Sequence, residues 1–233
     1  MAKLNAKGVK IVGFDADDTL WINENYFREA EHEFCHLMMD YLEHEKTADE
    51  LFRTETDNLD LFGYGAKGFT LSLIETAVRI SGGKVTGEKI RQILDIGKKL
   101  IMQPIELLPG VTDTLQALQK KYKLVVVTKG DLLDQERKLK NSLLLPYFHH
   151  IEIMSNKHAA DYKALISHLQ IKPEEFVMVG NSLKSDILPV IKIGAQAVYV
   201  PYHTTWLHER LDEPPTPPYA QAQTIRDIVP LLL

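Results

Sequence analysis

Three carboxylates fall within four residues at Asp15-Ala16-Asp17-Asp18. They directly follow Val9-Lys10-Ile11-Val12-Gly13-Phe14, an apolar run rich in β-branched residues that reads as a buried strand. Acids at that point lie on the carboxyl edge of a parallel sheet, where α/β folds place their ligands. Like charges packed so closely need a counter-charge, and a divalent cation with oxygen ligands is the usual one. The structural alternative is a turn in which Asp17 or Asp18 accepts backbone N–H bonds. Three later segments repeat the arrangement of a strand running into polar residues. Leu124-Val125-Val126-Val127 ends on Thr128, and Lys129-Gly130-Asp131 opens a helix, with Asp131 as its N-cap. A hydroxyl, free N–H groups and a positive helix end suit an oxyanion. Lys157 follows the next strand and precedes a helix, so its ammonium can reach across the sheet edge; Lys163 is its rival, further into the helix. Finally, Phe176-Val177-Met178-Val179-Gly180 runs into Asn181-Ser182, with Asp186 in the first turn of a helix.

Such residues need a scaffold that gathers distant loops, and the hydrophobic pattern predicts one. Strands are expected near 9–14, 124–128, 151–154, 176–180 and 196–200, with helices between the later ones. The stretch 21–108 carries no strand pattern. It reads as helices near 24–46, 48–57, 69–81 and 86–103, with a glycine-broken loop over 58–68. About eighty helical residues between two strands exceed a crossover, which needs a dozen or so. The expected architecture is therefore α/β: a Rossmann-like parallel five-stranded sheet core with an inserted all-helical cap domain. Residues 1–21 and 108–233 form the core, and 22–107 form the cap. Pro214, Pro215, Pro217 and Pro218 suggest a stiff linker, followed by a short final helix near 224–232.

The inserted segment contains His32-Glu33-Phe34-Cys35-His36, which matches the zinc pattern H-E-x-x-H. Such a site needs a third protein ligand, and no downstream motif supplies one. The segment is expected to be an amphipathic helix with Phe34 and Met38 inward and His32 and Glu33 solvated.

Composition narrows the function. A net charge of −5 with no basic stripe argues against nucleic acid. A single cysteine, Cys35, excludes an internal disulfide. No apolar run approaches membrane-spanning length, and residues 1–7 carry no apolar core for a secretion signal. A cytoplasmic protein is expected, and the sequence leaves monomer and homodimer open.

The order Asp15/Asp17, Thr128, Lys157, Asn181/Asp186 resembles the haloacid dehalogenase-like (HAD) hydrolases from about residue 9 to 200, in their phosphatase branch with a helical cap after the first motif. The resemblance implies a Mg²⁺-dependent phosphomonoester hydrolase acting on a small phosphorylated metabolite. It assigns the nucleophile to Asp15, giving an aspartyl-phosphate, and the proton transfers to Asp17. Mg²⁺ would be held by Asp15, the backbone carbonyl of Asp17 and Asp186. Thr128, the backbone of Lys129 and the Lys157 ammonium would bind the phosphoryl oxygens. Many relatives carry Asp where this chain has Asn181; the amide is expected to act through a metal-bound water. An acid at Asp17 favours phosphate over halide as the departing chemistry, because a halide needs no proton. Phosphonate cleavage would need a cap lysine forming an imine; Lys46 and Lys67 are available, but neither sits in a matching pattern. The helical insert is expected to roof the site, with the loop 58–68 nearest the leaving group, unless Phe62, Tyr64 and Phe69 are simply cap core. Two rival readings remain: a phosphomutase of the same superfamily, and a non-catalytic phosphate-binding regulatory module.

Overall fold

The computed structural model describes residues 4–211 and 219–233. The proline-rich linker expected at 213–218 lies outside them. The chain divides into two compact units. A sheet unit holds Met1–Glu24, Ile105–Lys129 and Gln135–Leu233; a helical unit holds Asn25–Pro104 and Gly130–Asp134.

The sheet unit is built on β1 (Ile11–Phe14), β2 (Lys123–Lys129), β3 (His150–Met154), β4 (Phe176–Gly180), β5 (Gln196–Tyr199) and β6 (Ala220–Gln221). Their order is β3-β2-β1-β4-β5-β6, and every pairing is parallel. Among the described residues the expected count of five is therefore corrected to six. The extra strand is two residues long, too short to show any period, and exists only through its pairing with Val198 and Tyr199. Strand residues alternate between two buried layers. Val12, Phe14, Val126, Val177 and Val179 join one layer with Leu115 and Leu139; Ile11, Val125, Val127 and Met178 join the other with Tyr162 and Ile166. Burial on both faces explains why these strands read as continuous apolar runs. Gly13 is fixed by packing, because a Cβ there would sit 2.6 Å from Phe176 Cζ.

After β1 the chain first builds β2 and β3 on one side, then β4, β5 and β6 on the other. The carboxyl ends of β1 and β4 thus lie side by side where the winding direction changes, the crevice in which open α/β sheets bind ligands. The connections carry α5 (Val111–Leu118), α6 (Leu132–Asn141), α7 (Ala159–His168) and α8 (Leu188–Lys192), and α9 (Val229–Leu232) ends the chain.

The helical unit contains α1 (Glu24–Leu37), α2 (His44–Phe62), α3 (Ala66–Ile80) and α4 (Gly87–Ile101), packed around Phe34, Met38, Leu51, Leu73 and Ile93. The single helix expected over 24–46 is broken: α1 stops at Leu37, and Met38 O accepts from both Tyr41 and Leu42 in a turn. The glycine-rich loop is shorter than expected, since α2 runs to Phe62 and α3 starts at Ala66. Phe69 is buried core while Phe62 is exposed. His32, Glu33 and His36 face solvent, Phe34 and Met38 face inward, and Glu33 pairs with Lys99 at 2.8 Å. Lys67 pairs with Asp131 at 2.9 Å. Among the described residues no helix is long and apolar enough to cross a membrane.

Candidate active site

Asp15 directly follows β1, and its N–H donates to Val179 O at 2.9 Å, so sheet pairing fixes its backbone. Its side chain accepts from Lys157 Nζ through Oδ1 (2.5 Å) and from Thr19 Oγ1 through Oδ2 (2.9 Å). The same Lys157 ammonium donates to Asp186 Oδ1 at 2.7 Å. The two carboxylate oxygens therefore lie no further apart than those two bonds laid end to end. Lys157 is only 4% exposed and Asp186 1%; Lys163, by contrast, points to solvent. Burial works against the Lys157 charge, but Asp15 and Asp186 outweigh it and hold the ammonium well above its usual range. One ammonium cannot neutralise two carboxylates. Burial first, then the Asp186 charge, pushes the Asp15 carboxyl up to about 7.

Asp186 is placed by an unusual local winding. Residues Leu183–Ile187 form a π-turn in which Leu188 N–H reaches back to Leu183 O, a geometry often found at functional sites. The Asp186 carboxylate folds back to accept from Ser182 N at 2.9 Å. This needs a glycine at 180, because a Cβ there would lie 2.3 Å from Asp186 Oδ2.

Asp17 is held by different groups. Trp21 Nε1 (2.7 Å) and Lys138 Nζ (2.9 Å) donate to Oδ1, and Gln135 Nε2 (2.8 Å) donates to Oδ2. Burial opposes its charge, but the Lys138 ammonium and these donors overcome it and keep the carboxyl below its ordinary range. Asp18 takes the turn-capping part: at φ 61 it accepts from the N–H groups of Asn23 and Glu24, at the start of α1.

Thr128 is buried near the end of β2, with Lys129 after it. The Lys129 ammonium turns aside to Ser185 Oγ (2.9 Å) and to Glu209, whose carboxylate also takes hydroxyl bonds from Ser182 and Ser185. Burial disfavours the Glu209 charge, yet Lys129 and the two hydroxyls bring its carboxyl down to about 2. Asn181 Oδ1 lies 3.3 Å from Thr19 Oγ1. The same Thr19 hydroxyl also donates to Asp15, so Asn181 and Asp15 share one donor. Asp15, Lys157 and Asp186 thus bond directly, Asn181 joins them through Thr19, and Asp17 has its own donors.

Thr19, Gln135, Lys138 and Glu209 were missed in the sequence. Gln135 and Lys138 carry one usable signal, their i,i+3 spacing on one helix face. Glu209 carries none, since it ends a three-residue 3-10 turn at least 24 positions from its partners.

The donor set suits a hard cation. Two buried carboxylates offer oxygen, with one fewer positive charge than they need. Mg²⁺ takes one or two carboxylates and keeps waters. No group of three or more His, Cys, Asp or Glu that could hold a metal occurs among the described residues, the H-E-x-x-H segment included.

Residues 9–194 match the family model for haloacid dehalogenase-like hydrolases. The chain belongs to that family. A HAD-like family hydrolase from Xanthomonas campestris has the same fold at a TM-score of 0.86, with 36% identity over 99% of this chain and 94% of that one. A HAD hydrolase from Bacillus subtilis, solved bound to magnesium, aligns at a TM-score of 0.65 and 17% identity over 96% of this chain and 98% of that one. Among curated relatives, a glyceraldehyde 3-phosphate phosphatase from Methanothermobacter thermautotrophicus is 26% identical over 82% of this chain and 85% of its own length. Its counterpart from Pyrococcus furiosus is 31% identical over 100 residues, 40% of this chain and 42% of that protein.

Proposed function

We propose that this HAD hydrolase cleaves phosphomonoesters of small metabolites through an aspartyl-phosphate on Asp15. The observation that carries the reading is the Lys157 ammonium shared by Asp15 and Asp186 at the switch point of the sheet. Phosphate binding alone needs cations and N–H groups; it does not need a buried carboxylate beside the anion site. Two relatives named glyceraldehyde 3-phosphate phosphatase support the same chemistry.

In this reading an Asp15 carboxylate oxygen attacks phosphorus and the bond to the leaving oxygen breaks. Asp17 gives that oxygen a proton, so it leaves as an alcohol; the anionic phosphate arriving beside Asp17 opposes the donors that otherwise lower its carboxyl and favours the protonated form. Water then attacks phosphorus, Asp17 takes a proton from it, and the bond from phosphorus to Asp15 breaks to release phosphate. Lys157, Thr128 and the Lys129 backbone N–H hold the phosphoryl oxygens, whose charge is spread in the transition state. Mg²⁺, held by Asp15, the Asp17 carbonyl and Asp186, would supply charge neutralisation between carboxylate and phosphate, consistent with the magnesium in the Bacillus subtilis neighbour. The helical unit serves as a cap that excludes water, and Asn181 acts through a metal-bound water.

The test is inorganic phosphate release from a panel of phosphorylated metabolites, glyceraldehyde 3-phosphate included, with Mg²⁺ and after chelation. Mg²⁺-dependent release that Asp15→Asn abolishes is expected. Phosphoryl transfer to a sugar phosphate without release would make the protein a mutase instead.

A further inference from the structure

Helix α6 presents Gln135 and Lys138 three residues apart, hence on one face. Both end on Asp17, one at each carboxylate oxygen. Lys138 is tied down in turn by Asn23 Oδ1 at 2.7 Å, and Trp21 completes the set. The Gln135 amide can adopt only one orientation. Its nitrogen faces two acceptors, Asp17 Oδ2 at 2.8 Å and Lys129 O at 3.3 Å. Its oxygen is therefore turned away, and that oxygen is buried with no hydrogen-bond partner among the described residues, in a residue only 2% exposed. An unmet buried acceptor costs about 1–3 kcal/mol, and such groups call for an explanation.

We propose that Gln135 and Lys138 are positioning residues for Asp17, fixing its carboxylate where the departing alcohol and the incoming water exchange protons. This rests on the hydrolase reading above and extends it to residues that touch neither phosphate nor metal. Two of the donors come from one turn of α6 and the third from a fully buried indole, so three side chains hold both carboxylate oxygens. Asp17 is thereby aimed before substrate arrives, which is how an acid–base group saves orientation cost at the moment of reaction.

The proposal separates substrates by their leaving groups. An alkoxide must be protonated to leave, whereas p-nitrophenolate leaves unaided. The ratio kcat/KM reports the first chemical step alone. In Lys138→Met, kcat/KM for an alkyl phosphate should fall about 100-fold, the low end of what acid–base catalysis contributes. For p-nitrophenyl phosphate it should change less than about threefold, while kcat and KM fall together because breakdown of the aspartyl-phosphate still needs Asp17. Gln135→Leu should show the same pattern, and Lys138→Arg should restore most of the alkyl rate. Equal losses on both esters, or no loss on either, would overturn the positioning role while leaving the hydrolase reading intact. A wild type inert on both esters would overturn the hydrolase reading and this proposal with it.

Discussion

Asp15, Lys157 and Asp186 form a buried triad with one positive and two negative partners, and that imbalance has consequences that can be measured. With Asp15 raised to about 7, the folded protein binds a proton more readily than the unfolded chain between about pH 4 and 7. Stability from this group therefore falls as pH rises through that window. Asp15→Asn removes the penalty, so without metal the variant should melt higher than wild type at pH 8, with the gap closing near pH 4. Glu209 has the opposite sign. Its carboxyl is lowered from 4.5 to about 2, so it stabilises the fold above pH 4.5, and that contribution disappears as pH falls through the folded value. At about 1.4 kcal/mol per unit the effect is about 3 kcal/mol. Urea melts of wild type and Glu209→Gln should differ by about that amount at pH 6 and converge toward pH 2; a constant gap would mean the Lys129–Glu209 pair is not its source. Asp15 and Asp17 stood out in the sequence as candidates because three carboxylates are crowded into four residues. Lys138 and Glu209 did not, because a solvated lysine or glutamate has the same local sequence as a buried, paired one. What distinguishes them is a partner more than twenty positions away.

At the scale of elements, legibility followed burial. β1, β2 and β4 were readable because both faces are covered and their central residues are all apolar; the edge strand β3 showed only through its alternating isoleucines. β6 was not readable, because two residues have no pattern of their own. The break after α1 was hidden for another reason. Residues 38–43 contain no glycine or proline, and Met38 is buried while the turn closes on its carbonyl. Tertiary packing, rather than a local breaker, ends the helix there. The start of α6 was readable, since Asp131 accepts from Asp134 N at 3.0 Å as an N-cap should. Asp131 also takes the bidentate approach of Lys67 Nζ, at 2.9 and 3.1 Å. Asp131→Ala should cost about 1 kcal/mol in a denaturant melt, nearly all of it from the cap, because the half-exposed ion pair contributes little. Lys67→Ala should therefore cost much less than Asp131→Ala; equal losses would make the pair, rather than the cap, the dominant interaction.

At the scale of the molecule, the chemistry and the bulk of the insert are built on separate cores. Asp15, Asp17, Thr128, Lys157 and Asp186 all belong to the sheet unit, whereas Phe34, Leu73 and Ile93 belong to the helical one. A cation bound between Asp15 and Asp186 acts on the folded sheet unit and on no group of the helical core. Binding of this kind adds about 2.7 kcal/mol when the ligand stands at a hundred times its dissociation constant. Hydrogen exchange with Mg²⁺ alone, without phosphate, should therefore slow amides around residues 11–20 and 176–187 and leave those of α3 and α4 unchanged. Asp186→Asn should abolish the difference, since it removes one of the two carboxylates while keeping the shape of the side chain. Leu73→Ala supplies the converse. It empties a fully buried position of the helical core, which costs about 2–5 kcal/mol where a site cannot collapse. The loss should appear as faster exchange in α3 with Mg²⁺ protection of residues 11–20 retained. If Mg²⁺ instead protected the helices and the sheet edge equally, the two units would unfold as one, and the site could not be assigned to the sheet unit by its energetics.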